Sequence, residues 1–169
     1  LEEDGYTLKF TVTFRNGTSQ TVPLYYQLTA ASSLHDPEKR FLEAVAFQNG
    51  KRKAFRLNDA LKKTLSVEGQ TAWGALKEKY FSLILKPEVD FSGFVVEPTE
   101  DQKSLTLKVW STPQSIAAGS TTTDQYLFYF GPNRLEELKK LGPWAEGVLH
   151  YGMFGGVTKF LLWTLTHLH

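Results

Sequence analysis

The chain has 169 residues, with 19 Lys and Arg against 18 Asp and Glu, a formal net charge of +1 and no cysteine. That length suits one domain with a real core and would make two cramped. A near-neutral balance gives no field to draw nucleic acid. The lack of cysteine removes disulfides and thiolate metal sites, and 14% aromatic residues favour sheet.

In residues 6–14, Tyr6, Leu8, Phe10, Val12 and Phe14 alternate with polar residues, and Val22, Leu24, Tyr26 and Leu28 do the same. Both read as half-buried strands. Asn16-Gly17 between them predicts a hairpin. A three-residue loop, Asn16-Gly17-Thr18, pairs Val12 with Val22, Phe10 with Leu24 and Leu8 with Tyr26, and puts Gly17 or its neighbour at positive φ. Pro23 marks an edge or a bulge. The match of Asn16-Gly17-Thr18 to a glycosylation sequon is read as chance.

Residues 32–40, with Asp36-Pro37, read as a loop. Residues 41–48 and 51–57 flank Asn49-Gly50; a type I′ turn there pairs Leu42 with Leu57, Ala44 with Phe55 and Glu43 with Arg56. Lys51-Arg52-Lys53 reads as a solvated tip rather than a patch for acidic lipid. Asn58-Asp59-Ala60-Leu61 starts one or two helical turns. Glu68-Gly69 marks a turn. Residues 71–86 carry both helical and extended signals. Residues 91–96 and 105–110 are strands joined by a turn over 98–104. Residues 113–123 form a polar loop, and 124–130 the last strand, covered on both faces.

At Gly131-Pro132 the period changes. Leu135, Leu138 and Leu141 line one side of a short helix, with Glu136 and Lys140 four apart, and Gly142-Pro143 stops it. Gly155-Gly156 is a breaker, after which Val157, Phe160, Leu161, Leu165 and Leu168 share one helical face that Leu162 and Trp163 widen. Such a helix is marginal alone in water; burying four of these side chains contributes roughly 1.5–3 kcal/mol each. The run is far shorter than the ~20 residues of a membrane span. It either docks on its own sheet or lies flat on a bilayer with Trp163 at headgroup depth.

No spacing points to covalent chemistry. His35, His150, His167 and His169 lack the helical spacing of a metal pair, and no nucleophile elbow, phosphate loop or dinucleotide fingerprint is present. The carboxylates Glu2-Glu3, Glu88 with Asp90, and Glu97 with Glu100 are scattered. Trp73, Trp110, Tyr80 and Tyr126 are strand aromatics that read as core before they read as a platform for sugar or peptide.

The segment FYFGPNRLEELKKL, followed by HYGMFGGVTKFLLWTL, resembles the end of the periplasmic domain of the YidC family of bacterial membrane protein insertases. There a strand ends in a Gly-Pro turn, a Leu-rich helix comes next, and a Tyr-Gly-x-Phe turn leads into an amphipathic helix before a membrane span. The matching residues are Gly131-Pro132 and Tyr151-Gly152-Met153-Phe154. A second block, WGALKEKYF from Trp73 to Phe81, is similar to the family's Trp-x-Ala…Tyr-Phe strand and tips residues 71–86 toward one long strand.

The resemblance covers residues 68–169. It implies a mainly β fold, an antiparallel β super-sandwich over 1–131, with a short helix and an amphipathic helix in 132–169. Both ends of the chain read as cuts, and the resemblance implies that an N-terminal span and a multi-span core lie outside it. It further implies a non-enzymatic accessory role at the periplasmic face of the inner membrane, without a cofactor, with the membrane surface, Sec translocon components and nascent membrane-protein chains as partners. Val157, Phe160, Leu161, Trp163, Leu165 and Leu168 would form the docking face, and Gly131, Pro132, Tyr151, Gly152 and Phe154 would hinge sandwich and helix. The alternatives are a carbohydrate-binding or sugar-modifying sandwich, because fold does not fix function, and a purely structural spacer.

Overall fold

The alternating segments of this chain form strands. A computed structural model describes residues 5–30, 42–56, 64–99 and 105–149. In chain order the strands are β1 (Thr7–Arg15), β2 (Val22–Leu24), β3 (Gln27–Ala30), β4 (Glu43–Gln48), β5 (Lys51–Arg56), β6 (Leu65–Lys77), β7 (Phe81–Pro87), β8 (Phe91–Pro98), β9 (Leu105–Trp110), β10 (Gln114–Ile116) and β11 (Thr121–Pro132). They are followed by α1 (Leu135–Leu141) and a 3-10 helix, Pro143–Val148. Nine strands form one antiparallel sheet in the order β1-β11-β7-β6-β8-β9-β3, with β4 and β5 branching from β6; β2 and β10 pair separately.

The long strand β6 organises this sheet. Thr71 pairs with Gln48 of β4 on one side and with Phe91 of β8 on the other. Further along, Gly74, Ala75, Leu76 and Lys77 face β4 on the first side and β7 on the second. So β7 and β8 succeed one another along the same edge of β6, and the sheet divides there into two wings, β7-β11-β1 and β8-β9-β3. One core draws on both: Leu83 and Leu85 of β7, Phe91, Phe94 and Val96 of β8, Leu105, Leu107 and Val109 of β9, and Tyr126 of β11. This is the antiparallel sandwich expected, made by one branching sheet. On the opposite face, Val45, Ala75, Ile84 and Tyr129 stand in cross-strand register and are also buried.

Several local expectations hold. Asn49 (φ 49°) and Gly50 (φ 74°) make the left-handed pair of a type I′ turn, and Glu43 opposes Arg56 as Ala44 opposes Phe55. Pro23 lies in a three-residue strand with one neighbour. Gly142 (φ 118°) ends α1 as expected, while Lys140 pairs at 3.1 Å with Glu137, three residues away, where Glu136 was the expected neighbour. Pro143 then opens the 3-10 helix. Leu138, Ala145 and Val148 are buried.

Others are corrected. β1 and β2 do not form a hairpin: β1 pairs with β11 along its whole length, Val12 facing Asp124, and β2 pairs with β10. The cause is Asn16, which is buried and donates to Gln20 O at 2.7 Å, Ile116 O at 2.9 Å and Ala117 O at 3.1 Å, while its Oδ1 accepts from Thr18 N at 2.9 Å. A side chain anchored to a distant segment turns the chain outward. Gly17 and its neighbours accordingly have no positive φ.

Glu68-Gly69 is a bulge inside β6, with Gly69 at φ 111° and the register to β8 shifting between Glu68 and Thr71. The buried Gln48 holds it by donating to Glu68 O. Residues 71–86 are not one strand but the reversal from β6 to β7, closed by Glu78 N to Phe81 O at 2.8 Å. The break itself is Glu78, Lys79 and Tyr80, with no Gly or Pro. The polar stretch 113–123 contains β10 and the start of β11, turned at Gly119 (φ 68°). β11 does not stop at Phe130 but runs through Gly131 and Pro132, which oppose Ser82 and Phe81. Phe130 is half exposed, so the last strand is not covered on both faces throughout.

The chain divides into two compact units, Leu1–Asn133 and Arg134–His169. The loop over 32–40, the helical turns at 58–61, the turn residues 100–104 and the amphipathic segment with its docking face lie outside the described residues.

Candidate interaction surface at the end of the sheet

The sheet ends in a locked exit. Gly131 is required there because a Cβ would lie 2.6 Å from the Tyr129 ring and 2.8 Å from Tyr6 Cγ. Tyr129 Oη donates to Pro132 O at 2.8 Å. The next residue, Asn133, is tied to the β6–β7 reversal. Its backbone N–H donates to Tyr80 O at 2.7 Å, its Nδ2 to Glu78 O at 2.6 Å and Phe81 O at 3.3 Å, and its Oδ1 accepts from the Ser82 hydroxyl. The Gly-Pro pair therefore sits in paired strand, and the sheet holds the chain as far as Asn133.

An apolar band borders this exit. On β11, Tyr126 and Phe128 face the core, and Phe130 continues the same side; on β7, Phe81 continues the side of Leu83 and Leu85. The band consists of Leu8 (56% exposed), Phe81 (45%), Phe130 (50%) and, at the reversal, Tyr80 (63%). The Phe81 and Phe130 rings stack with centroids 6.4 Å apart, and Lys79 Nζ lies 4.9 Å from the Tyr80 centroid. Aromatic residues with a lysine at a protruding turn suit a surface that is apolar on one side and wet on the other.

A second constellation closes the two wings on each other. Tyr26, just before β3, donates its hydroxyl to Asp124 of β11 and shares a hydrogen bond with Tyr126. Gln114 Nε2 donates to the same Asp124 oxygen at 3.0 Å. Phe14 and Tyr26 pack with ring centroids 4.7 Å apart. A cleft of about 110 Å³ opens beside them, lined by Phe91, Ser111, Gln114, Asp124 and Tyr126 among others.

Burial, then the Asp124 carboxylate, then Tyr126 push the Tyr26 hydroxyl above its usual range, and burial raises Tyr126 as well. The folded protein thus keeps these protons while an unfolded chain loses them near pH 10, so this stabilisation is complete below that pH and fades above it. Tyr26→Phe is expected to cost roughly 1–2 kcal/mol at neutral pH. It should also flatten the loss of stability on going from mildly to strongly alkaline solution, read by urea denaturation at several pH values.

Other candidates from the sequence separate clearly. Trp73 and Tyr126 are buried, whereas Tyr80 is exposed and Trp110 stacks on exposed Tyr25 (centroids 5.6 Å, planes 5° apart). Glu97 is paired with Lys108. In the Lys51-Arg52-Lys53 tip, Lys53 donates to Gln48, and desolvation lowers the Arg52 pKa. All four histidines, with Tyr151, Gly152, Phe154 and the docking face from Val157 to Leu168, lie outside the described residues. Among the described residues, no helix is long and apolar enough to cross a membrane. As polar anchors Asn133, Ser82, Tyr26 and Asp124 were not legible in the sequence, where Tyr26 read as a strand residue and Asn133 as a start of the short helix, which is instead capped at Arg134.

The family model described as the YidC periplasmic domain matches residues 1–164, nearly the whole chain. The chain belongs to the YidC periplasmic domain family. Curated relatives named membrane protein insertase YidC include one from Geobacter sp. (strain M21), 32% identical over 122 residues covering 71% of this chain and 22% of the relative. Another, from Thioalkalivibrio sulfidiphilus, is 27% identical and covers 99% of this chain and 34% of the relative. The chain thus spans about a third or less of these insertases.

Solved structures share the fold at low identity. A putative aldose 1-epimerase from Escherichia coli K12 has a TM-score of 0.56 at 12% identity, covering 76% of this chain and 57% of the other. A galactose mutarotase related enzyme from Lactobacillus acidophilus has 0.54 at 10%, covering 74% and 57%. In this YidC periplasmic domain, then, the sandwich expected from the Trp73 and Gly131 blocks is present, and Gly131-Pro132-Asn133 forms its locked exit.

Proposed function

We propose that this domain is an accessory, non-enzymatic part of a membrane protein insertase at the periplasmic face of the inner membrane. In this reading the sandwich is a rigid body. Its exit holds the chain after Asn133 so that Val157, Phe160, Leu161, Trp163, Leu165 and Leu168 meet the membrane surface, and Tyr151, Gly152 and Phe154 set the angle of approach. Nascent membrane-protein chains, and Sec translocon components where present, are its partners. The observation that carries the reading is the family match, which runs from the first strand through most of the terminal amphipathic segment. The locked exit and the apolar band beside it are consistent with a body built to orient the C-terminal segment.

The test uses the 169-residue chain and vesicles with bromine on the lipid acyl chains near the headgroup. Trp163, one of four tryptophans, is expected to be quenched, and Trp163→Phe to remove most of the quenching. Equal quenching in the variant would overturn the placement of this segment at the bilayer.

A further inference from the structure

The edges of the nine-stranded sheet are unequally guarded. Among the described residues, β1, β3 and β5 each have a single neighbour. β3 has four residues, and β5 opens with Lys51, Arg52 and Lys53, two devices that keep an edge from pairing. β1 has neither. It runs nine residues without proline, and its register to β11 is unbroken.

The phase of that ladder is set by two bonds that flank it, Phe130 N to Tyr6 O and Asn16 N to Ser120 O, both 2.9 Å. They place the exchanging pairs at Leu8, Phe10, Val12 and Phe14. The N–H and C=O groups of Lys9, Thr11 and Thr13 therefore point to the open edge. Their side chains, with that of Arg15, lie on the outer face and are exposed, while Phe10, Val12 and Phe14 face inward and are partly buried. Lys9 and Arg15 have no ion-pair partner among the described residues, and the residues across from them on β11 are Leu127 and Thr121.

We infer that the open edge of β1 accepts an extended polypeptide segment as an additional antiparallel strand, one that alternates apolar with polar residues and sets acidic side chains against Lys9 and Arg15. Backbone hydrogen bonds would supply affinity and the alternate side chains selectivity. This rests on the proposed function, which supplies the occupant: segments translocated across a bilayer are poor in Lys and Arg compared with those retained, so a cationic edge meets little like charge on them and pairs with those that carry acidic residues.

The probe is a blocked peptide as long as β1, alternating valine with polar residues and carrying glutamate at the two positions that face Lys9 and Arg15. Amide exchange by NMR is expected to slow at Lys9, Thr11 and Thr13 on adding it, with little change at Leu8, Phe10 and Val12. Thr11→Pro removes an outward N–H at an edge position where proline is tolerated, and should weaken binding by about tenfold or more. Lys9→Glu with Arg15→Glu should weaken the glutamate peptide and favour the same peptide with lysines in those places, a reversal that does not depend on how the proline variant folds. Protection elsewhere with none at the three amides, or wild-type affinity in both variants, would overturn the inference. So would the same protection arising from chain concentration alone, which would make a second copy the occupant. Vesicle quenching of Trp163 is read independently, so β1 can fail while the membrane placement stands.

Discussion

Phe94→Ala is expected to lower the free energy of unfolding by about 3–5 kcal/mol. Phe94 is fully buried in β8, with Val67 of β6 and Val109 of β9 directly across from it. A Cβ at Gly74 would meet the Phe94 ring at 3.9 Å, so the ring covers the place where β6 carries no side chain. Neither the ladder nor Gly74 can move in to refill the space. Since domains of this size are stable by about 5–15 kcal/mol, much of the population should unfold under mild denaturant. The check is the urea midpoint at unchanged slope. A loss below about 1 kcal/mol would mean that the wings do not share one core.

The same core explains what could be read from sequence. Turns fixed by their own residues were legible: Asn49-Gly50 takes its conformation from two positions, and its register came with it. Asn16-Gly17 has nearly the same signature, but Asn16 is bound by carbonyls a hundred residues away, at Ile116 and Ala117, and no local pattern reports that. Residues 71–86 were ambiguous because both faces are buried there: Leu76 and Leu83 on one side, Ala75 and Ile84 on the other. Burial on both faces erases the period of two. The branch of the sheet at Thr71 and the clasp of Tyr26 on Asp124 are long-range pairings of the same kind. The family blocks, by contrast, were local strings, and they carried the function further than periodicity did.

The exit fixes where the chain leaves the sheet. Asn133 is bound through its backbone and both ends of its amide, and Gly131 admits no side chain, so the sheet fixes the chain up to that point. The terminal segment is proposed to act through one apolar face. Leu161 and Leu165 lie on that expected face, four residues apart, where burial contributes roughly 1.5–3 kcal/mol each and a charge costs up to about 3 kcal/mol when drawn into the bilayer. The two changes together remove two leucines from that expected face and put two charges in their place.

The decisive measurement is therefore membrane-protein insertion by the full-length insertase carrying Leu161→Asp and Leu165→Asp, with the urea midpoint of the sheet tracked in parallel. Insertion should fall by about tenfold or more while the midpoint stays where it was. Wild-type insertion with both aspartates in place would contradict the account.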